Sequence, residues 1–387
     1  MLLVAGMTQK RRDFVKLAGG TVALGALAGC TGGNGGDGGS GDGGSGETTT
    51  TSAETTTQEQ TTTAGSSGSS DLDVGMVYAL GGLGDKSFND MANRGVKRAE
   101  DQLGISFKNA QPQQQSDFKT LQRRFASSGS YGLICCIGFA QTDALKQNAP
   151  NFTDQDFMLV DSVVDQPNVA NYTFKEQEGS FLVGQLAGML TSQQLSAGAG
   201  KTDPSKKKVG FVGGVKVPLI KKFQAGYEAG VHHADADVEV TAAYTGSFGD
   251  PAKGKEAALS MYQNGADIVY HAAGATGLGV FQAAQQEGRF AIGVDADQSK
   301  SEPDYKDVIL ASMEKRVDNA VYAAIQHKVD GSFKGGNVRS LGLEKKGVNC
   351  VYGQQLSSSI PQDVKDAIDA ARKQIIAGDI DVPTKPQ

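Results

Sequence analysis

From Val74 onward the chain repeats one rhythm: a short run rich in β-branched and aromatic residues, a turn, then an amphipathic stretch. That alternation is the mark of a parallel sheet whose crossovers lay helices on both faces. Strands are predicted at Val74–Leu80, Tyr131–Phe139, Phe157–Val160, Lys208–Val212, Val238–Tyr244, Ile268–Ala272, Phe290–Val294 and Val308–Ser312. Helices are predicted at Phe88–Leu103, Asp117–Ala126, Glu178–Leu190, Pro218–His232, Lys253–Asn264, Gly277–Glu287 and Val317–His327, with a closing packing helix from about Pro361 to Ala377. In the first helix Met91, Val96, Ala99 and Leu103 share one face while Lys97, Arg98, Glu100 and Asp101 take the other. The rhythm restarts near Val209, and residues 71–387 are too many for one ordinary core, so two α/β lobes in series are expected.

The N-terminal residues follow a different logic. Lys10, Arg11, Arg12 and Lys16 precede an apolar run from Leu17 to Ala28 that is too short to span a membrane. Paired arginines ahead of a weakly apolar core read as a twin-arginine export signal, with Met7 as the expected start. Leu27, Ala28, Gly29 and Cys30 form a lipoprotein cleavage pattern in which the Cys30 thiol receives lipid. Residues 1–30 are thus an address. Residues 31–70, rich in Gly, Thr and Ser, are expected to be a disordered tether with a span of about 35 Å. Asn151 and Asn171 lie in Asn-x-Thr triplets that would suit an exterior protein.

The leader carries four basic residues and one acidic, so the remainder has 33 Lys and Arg against 42 Asp and Glu, a net charge of −9. That balance argues against nucleic acid as a partner. Cys135, Cys136 and Cys350 make no disulfide framework and are expected to be buried thiols.

Catalytic motifs fail on detail. Gly81–Ser87 resembles a phosphate loop, but Asp85 stands where glycine must precede the lysine and would repel phosphate. The turn Ala273–Phe281, with Gly274, Gly277 and Gly279, lacks the dinucleotide spacing, although Gly274 could bring backbone close to a ligand. The adjacent His232 and His233 cannot share a metal as an i, i+4 pair does, and no nucleophile elbow is present. Neither a metal nor a cofactor is expected, and the chain is not read as an enzyme.

What remains are polar and aromatic residues just past predicted strands, where open α/β sheets bind ligands. Asp85, Ser87, Phe88 and Asn89 follow the first strand, and Asp161 the third. Phe248 and Asp250 follow the strand through Tyr244, Asp295 the strand from Phe290, and Lys315 the strand through Ser312. Phenylalanines from two lobes could sandwich a flat ring while carboxylates accept hydrogen bonds from hydroxyls or amines. The same residues read equally well as loop packing and helix caps.

The segments GGLGDKSFND (81–90), FKEQEGSFLVG (174–184), VGFVGGVKVPLIKKFQAGYEAGV (209–231), GSFGDPAKGKEAA (246–258), HAAGATGLGVFQAA (271–284), IGVDADQ (292–298) and SMEKRVDNAVY (312–322) resemble the basic membrane protein lipoproteins, which include purine nucleoside receptors of ABC importers. The resemblance implies a type I periplasmic-binding-protein fold: two doubly wound parallel-sheet lobes joined by three crossovers. It implies one lobe from 71–175 with about 312–337 and a second from 176–311 with about 338–387. It implies Phe88 and Phe248 stacked on a purine, Asp85, Asn89 and Asp161 near the base, and Asp295 with Lys315 on the ribose. The expected protein is lipid-anchored through Cys30 on the outer face of the cell membrane and delivers a nucleoside to permease subunits. The rival expectations are an exported nucleoside hydrolase, with Asp85, Asp161 and Asp295 around a metal, and a sensory receptor of the same fold.

Overall fold

The computed structural model describes residues 70–386. The expected signal (1–30), the lipidated Cys30 and the tether (31–70) lie outside the described residues, apart from Ser70. Fourteen strands follow in chain order: β1 (Asp73–Val77), β2 (Ser106–Ala110), β3 (Leu133–Cys136), β4 (Asp156–Val160), β5 (Val169–Phe174), β6 (Ser196–Ala197), β7 (Gly200–Lys201), β8 (Lys208–Gly213), β9 (Glu239–Tyr244), β10 (Ile268–Ala272), β11 (Phe290–Asp295), β12 (Ile309–Lys315), β13 (Val338–Leu341) and β14 (Val348–Tyr352). The helices are α1 (Phe88–Leu103), α2 (Asp117–Ser128), α3 (Thr142–Asn148), α4 (Glu176–Thr191), α5 (Pro218–Ala234), α6 (Pro251–Gln263), α7 (Leu278–Glu287), α8 (Gln298–Ser301), α9 (Val317–Val329) and α10 (Gln362–Ala377).

Two six-stranded sheets result, in the orders β13-β5-β4-β3-β1-β2 and β14-β12-β11-β10-β8-β9, with β6 and β7 forming a small hairpin. The first sheet is parallel throughout, and the second is parallel except for the edge strand β14, which runs antiparallel to β12. Central strands are buried on both faces, as parallel sheets covered by helices must be. Cys135 and Cys136 on β3 join apolar clusters on opposite sides of the first sheet, following the two-residue period, and both are buried free thiols, as is Cys350.

The chain passes between the sheets three times: from β5 into α4, from β12 into α9, which packs on α1, and from β13 to β14. Two expected borders move. Val338–Leu341 pairs with Asn171–Phe174 in the first sheet, so the first lobe extends past 337; and β12 stays in the second sheet to Lys315, so the second lobe does not end at 311. The β12 crossing was misplaced because the strand runs straight into helix α9 of the other lobe without a turn signal, and the last crossing because the short, partly exposed strand β13 was not read as a strand.

Helix α4 is buried on nearly every side, which explains its weak amphipathic pattern. It packs on α5 backbone to backbone. A Cβ on Gly184 would lie 2.2 Å from the Tyr227 carbonyl oxygen, and one on Gly230 would lie 2.0 Å from that of Phe181. Asn171 is also buried, its side-chain oxygen accepting from Val164 N at 2.9 Å, so this triplet cannot be the exposed acceptor expected from its sequence. No helix among the described residues is long and apolar enough to cross a membrane.

Candidate ligand-binding site

A cavity of about 370 Å³ lies between the two lobes. All eight ligand-binding candidates line it: Asp85, Phe88, Asn89, Asp161, Phe248, Gly274, Asp295 and Lys315. They reach it from the β1–α1, β4, β9–α6, β10, β11 and β12 ends, so one rule, that ligands sit past the carboxyl ends of parallel strands, accounts for the convergence.

The β1–α1 loop is built by two of these residues. The Asp85 carboxylate accepts the backbone N–H groups of Ser87 (3.0 Å), Asn89 (2.9 Å) and Asp90 (3.1 Å), capping the first turn of α1. Burial pushes its pKa up against those donors. The Asn89 side-chain oxygen accepts from Ala79 N at 2.9 Å, which ties the helix start to the strand end. Both residues spend their polar atoms on scaffolding, and what they deliver is the position of Phe88.

Asp161, at the end of β4, and Asp295, at the end of β11, hold the left-handed backbone conformation, with φ of 68° and 64°. Non-glycine residues adopt it at a cost, and such strain gathers where a side chain must be aimed. Lys315 lies between them, with 2% of its side chain exposed. Its Nζ donates to Asp161 Oδ2 at 2.7 Å and lies 3.0 Å from Glu176 Oε1 at the start of α4. It also lies 5.2 Å from the Phe88 ring centre and 5.0 Å from that of Phe174. Burial works against its charge, but Asp161, Glu176 and Asp295 together outweigh that and hold the ammonium protonated. Burial raises the pKa of Asp161 despite Lys315, and that of Asp295 to about 7. Asp161 Oδ1 is buried without a hydrogen-bond partner. A buried unpaired acceptor is costly, and an incoming donor would relieve it.

Most of the rest of the wall is apolar and was not foreseen, Leu80, Phe139, Val215, Val217, Leu219, Ile220 and Phe223 among it, with Gln115 a polar exception. Phe139 meets Phe248 edge-on across the lobes, with ring centres 6.4 Å apart at 69°. Phe139 falls at the end of a predicted strand, so the strand-end rule could have found it. Leu219, Ile220 and Phe223 look in sequence like any buried helix face.

Residues 72–385 match the family described as ABC transporter substrate-binding protein PnrA-like. The chain belongs to this Bmp family. Among its relatives is a Lactococcus lactis protein named as an ABC transporter nucleoside-binding protein, 35% identical over 83% of this chain and 92% of its own length. A CD4+ T-cell-stimulating antigen of Listeria monocytogenes is 36% identical over 82% of this chain and 90% of its own. An ABC transporter solute-binding protein of Aeropyrum pernix, known as a crystal structure, superposes with a TM-score of 0.73 at 30% identity, covering 82% of this chain and 94% of that one. The protein is therefore a substrate-binding protein of the PnrA type, and its relatives are substrate-binding proteins rather than enzymes.

In this Bmp-family chain the lobes also touch directly. The Ser87 hydroxyl donates to Asp295 Oδ2, and the Lys86 carbonyl accepts from Gln298 Nε2 (3.2 Å) and Ser301 Oγ (3.3 Å). The Gln298 side-chain oxygen takes Val294 N (2.7 Å) and pairs with His271 Nε2 (2.9 Å), so its amide is aimed across the cleft before the lobes meet. Among the described residues no group of three or more His, Cys, Asp or Glu could hold a metal ion. Asp85, one of the three carboxylates a hydrolase would have used, has both oxygens occupied by backbone donors.

Proposed function

We propose that the protein captures a nucleoside, with purine nucleosides preferred, outside the cell while anchored by lipid on Cys30, and hands it to an ABC permease. The observation that carries this reading is the convergence of two kinds of surface on one cavity. Phe88, Phe139, Phe223 and Phe248 offer apolar and aromatic faces for a flat base, while Asp161, Asp295 and Lys315 offer charged partners for hydroxyls. Its volume lies within the roughly 300–1,000 Å³ usual for small-molecule sites. A ligand that touches both lobes favours the closed arrangement, because only there are all its contacts made. Closure then presents the permease with a surface that the open form lacks. The nucleoside-binding relative in Lactococcus lactis and the lipoproteins of Pyrococcus among the relatives support the ligand and the anchor.

Calorimetric titration of the purified protein with adenosine, guanosine, inosine, cytidine, ribose and adenine tests it. The expected result is tight binding of purine nucleosides, weaker binding of cytidine, and little response to ribose or adenine alone. Failure of every nucleoside to bind to folded protein overturns the ligand. Release of free base during the titration points to the hydrolase.

A further inference from the structure

Lys315 has two carboxylate partners, and they belong to different lobes. Asp161 ends β4 in the first sheet, whereas Glu176 opens α4, which packs against β12 and α5 of the second. Lys315 itself ends β12. If the lobes part to admit a ligand, Asp161 leaves with its sheet and Glu176 stays. The Glu176 side chain is fully buried, and Lys222 of α5 faces its other oxygen at 3.3 Å while also donating to the Phe174 carbonyl at 3.3 Å. Lys315 stands at ion-pair distance from Glu176 Oε1 without hydrogen-bond alignment, so the attraction is between charges. The neighbouring Glu178 accepts from Leu343 N at 2.8 Å and pairs with Lys175 at 2.8 Å. The first turn of α4 therefore reaches all three crossovers: it follows the first, faces Lys315 at the second and binds Leu343 at the third.

We propose that Glu176 is a positioning residue for the binding site: its buried carboxylate holds the Lys315 ammonium aimed into the cleft whether the lobes are open or closed, with Lys222 as its counter-charge. This rests on the reading that a ligand binds between lobes that open and close. Glu176 touches no ligand. Its task is to keep a buried cation paired when the partner across the cleft departs, since an ammonium without a counter-ion in that apolar setting would fold away from it or lose its proton. Lys has three donors, and only Asp161 takes one by hydrogen bond, which leaves donors for a ligand oxygen.

The groups facing the cluster are Asp85, Asp161, Asp295, Glu176, Lys222 and Lys315. Against the burial that lowers it, Glu176 raises the pKa of Lys315 from within the same lobe, which supplies a readout that neither opening of the lobes nor a packing defect produces. Two variants, Glu176→Gln and Glu176→Asp, are to be compared with the parent by lysine-nitrogen NMR titration of the unliganded protein and by nucleoside calorimetry. Glu176→Gln is expected to lower the Lys315 titration midpoint and to weaken nucleoside binding about tenfold, as loss of a charge-assisted interaction does. Glu176→Asp should recover part of both. An unmoved Lys315 midpoint in Glu176→Gln overturns the proposal, even if affinity is lost, because a packing defect would do that. Unchanged affinity overturns it too. The NMR titration needs no ligand, so failure of the parent to bind nucleosides would count against the ligand and leave the Glu176–Lys315 pairing separately measured.

Discussion

The two lobes place the same residue at the same point and satisfy it differently. β4 and β11 occupy equivalent positions in their sheets, and each ends in an aspartate with left-handed backbone. Each aspartate is partnered from the opposite lobe. Asp161 receives the charged Lys315, whereas Asp295 receives the neutral hydroxyl of Ser87. Closure thus makes two reciprocal polar contacts, one between ions and one between an acid and an alcohol. A hydrogen bond to a charged group contributes about 1.5–3 kcal/mol, and the Ser87 bond falls to about 0.5–1.5 kcal/mol only where Asp295 is protonated. The first contact belongs to the framework of the cleft; the second joins a single hydroxyl to an acceptor that a ligand hydroxyl can use in its place.

The comparison breaks most severely at Lys315. Lys315→Met leaves Asp161 and Glu176 buried beside each other without their shared cation. Removing one member of a buried pair costs about 3–5 kcal/mol. Denaturant unfolding should show a loss of that size, and nucleoside binding should be abolished. Wild-type stability in this variant would mean that the lysine is not the hub of the cluster.

Acidity sharpens the comparison with a smaller effect. Burial holds the Asp295 pKa up at about 7, with Lys315 and Ser87 pulling it down and Asp85 and Asp161 pushing it up. An unfolded aspartate titrates near 3.9, so between about pH 4 and 7 the folded chain holds the extra proton and its stability falls as pH rises. Ligand hydroxyls need the ionised acceptor, so affinity runs the other way. Between pH 8 and pH 5.5 nucleoside binding should weaken about thirtyfold while the melting temperature of the unliganded protein rises. Asp295→Asn should weaken binding at pH 8 and flatten its pH dependence; a slope that persists in this variant would assign the titration to another group.

The sequence carried the central strands, the long helices and the polar half of the cavity. Helix α1 is legible to the residue because Asp85 caps one end and Gly104, with φ of 65°, stops the other. The strand ends are blurred, as at Leu133–Cys136, where apolar residues continue past the last ladder bond. Strands β2, β13 and β14 were missed because edge strands with one exposed face carry polar residues such as Lys108, Arg339 and Asn349. β5 was hidden by Asn171, whose polarity is met by local backbone rather than solvent. Glu176 escaped notice for a related reason. An acidic residue in the first turn of a helix looks like an answer to the helix dipole, and only the three-dimensional path of β12 brings Lys315 beside it.

The smallest expected effect tests the neutral half of the comparison. In the closed form the Ser87 hydroxyl takes one oxygen of Asp295 that a ligand hydroxyl would otherwise use. Its removal therefore acts in two opposed directions: the unliganded closed state loses a hydrogen bond of about 1–3 kcal/mol, depending on whether Asp295 is protonated, and the ligand no longer has to displace a competitor. Ser87→Ala should leave nucleoside affinity within about threefold of the parent while increasing the radius of gyration of the unliganded protein in X-ray scattering, as the open form gains population. The Lys86 carbonyl keeps its own bonds to Gln298 and Ser301, so the shift should be partial. A tenfold loss of affinity in Ser87→Ala would mean that the hydroxyl contacts the ligand itself. The asymmetry between the two aspartates would then lie in charge alone, and not in which of them the ligand can reach.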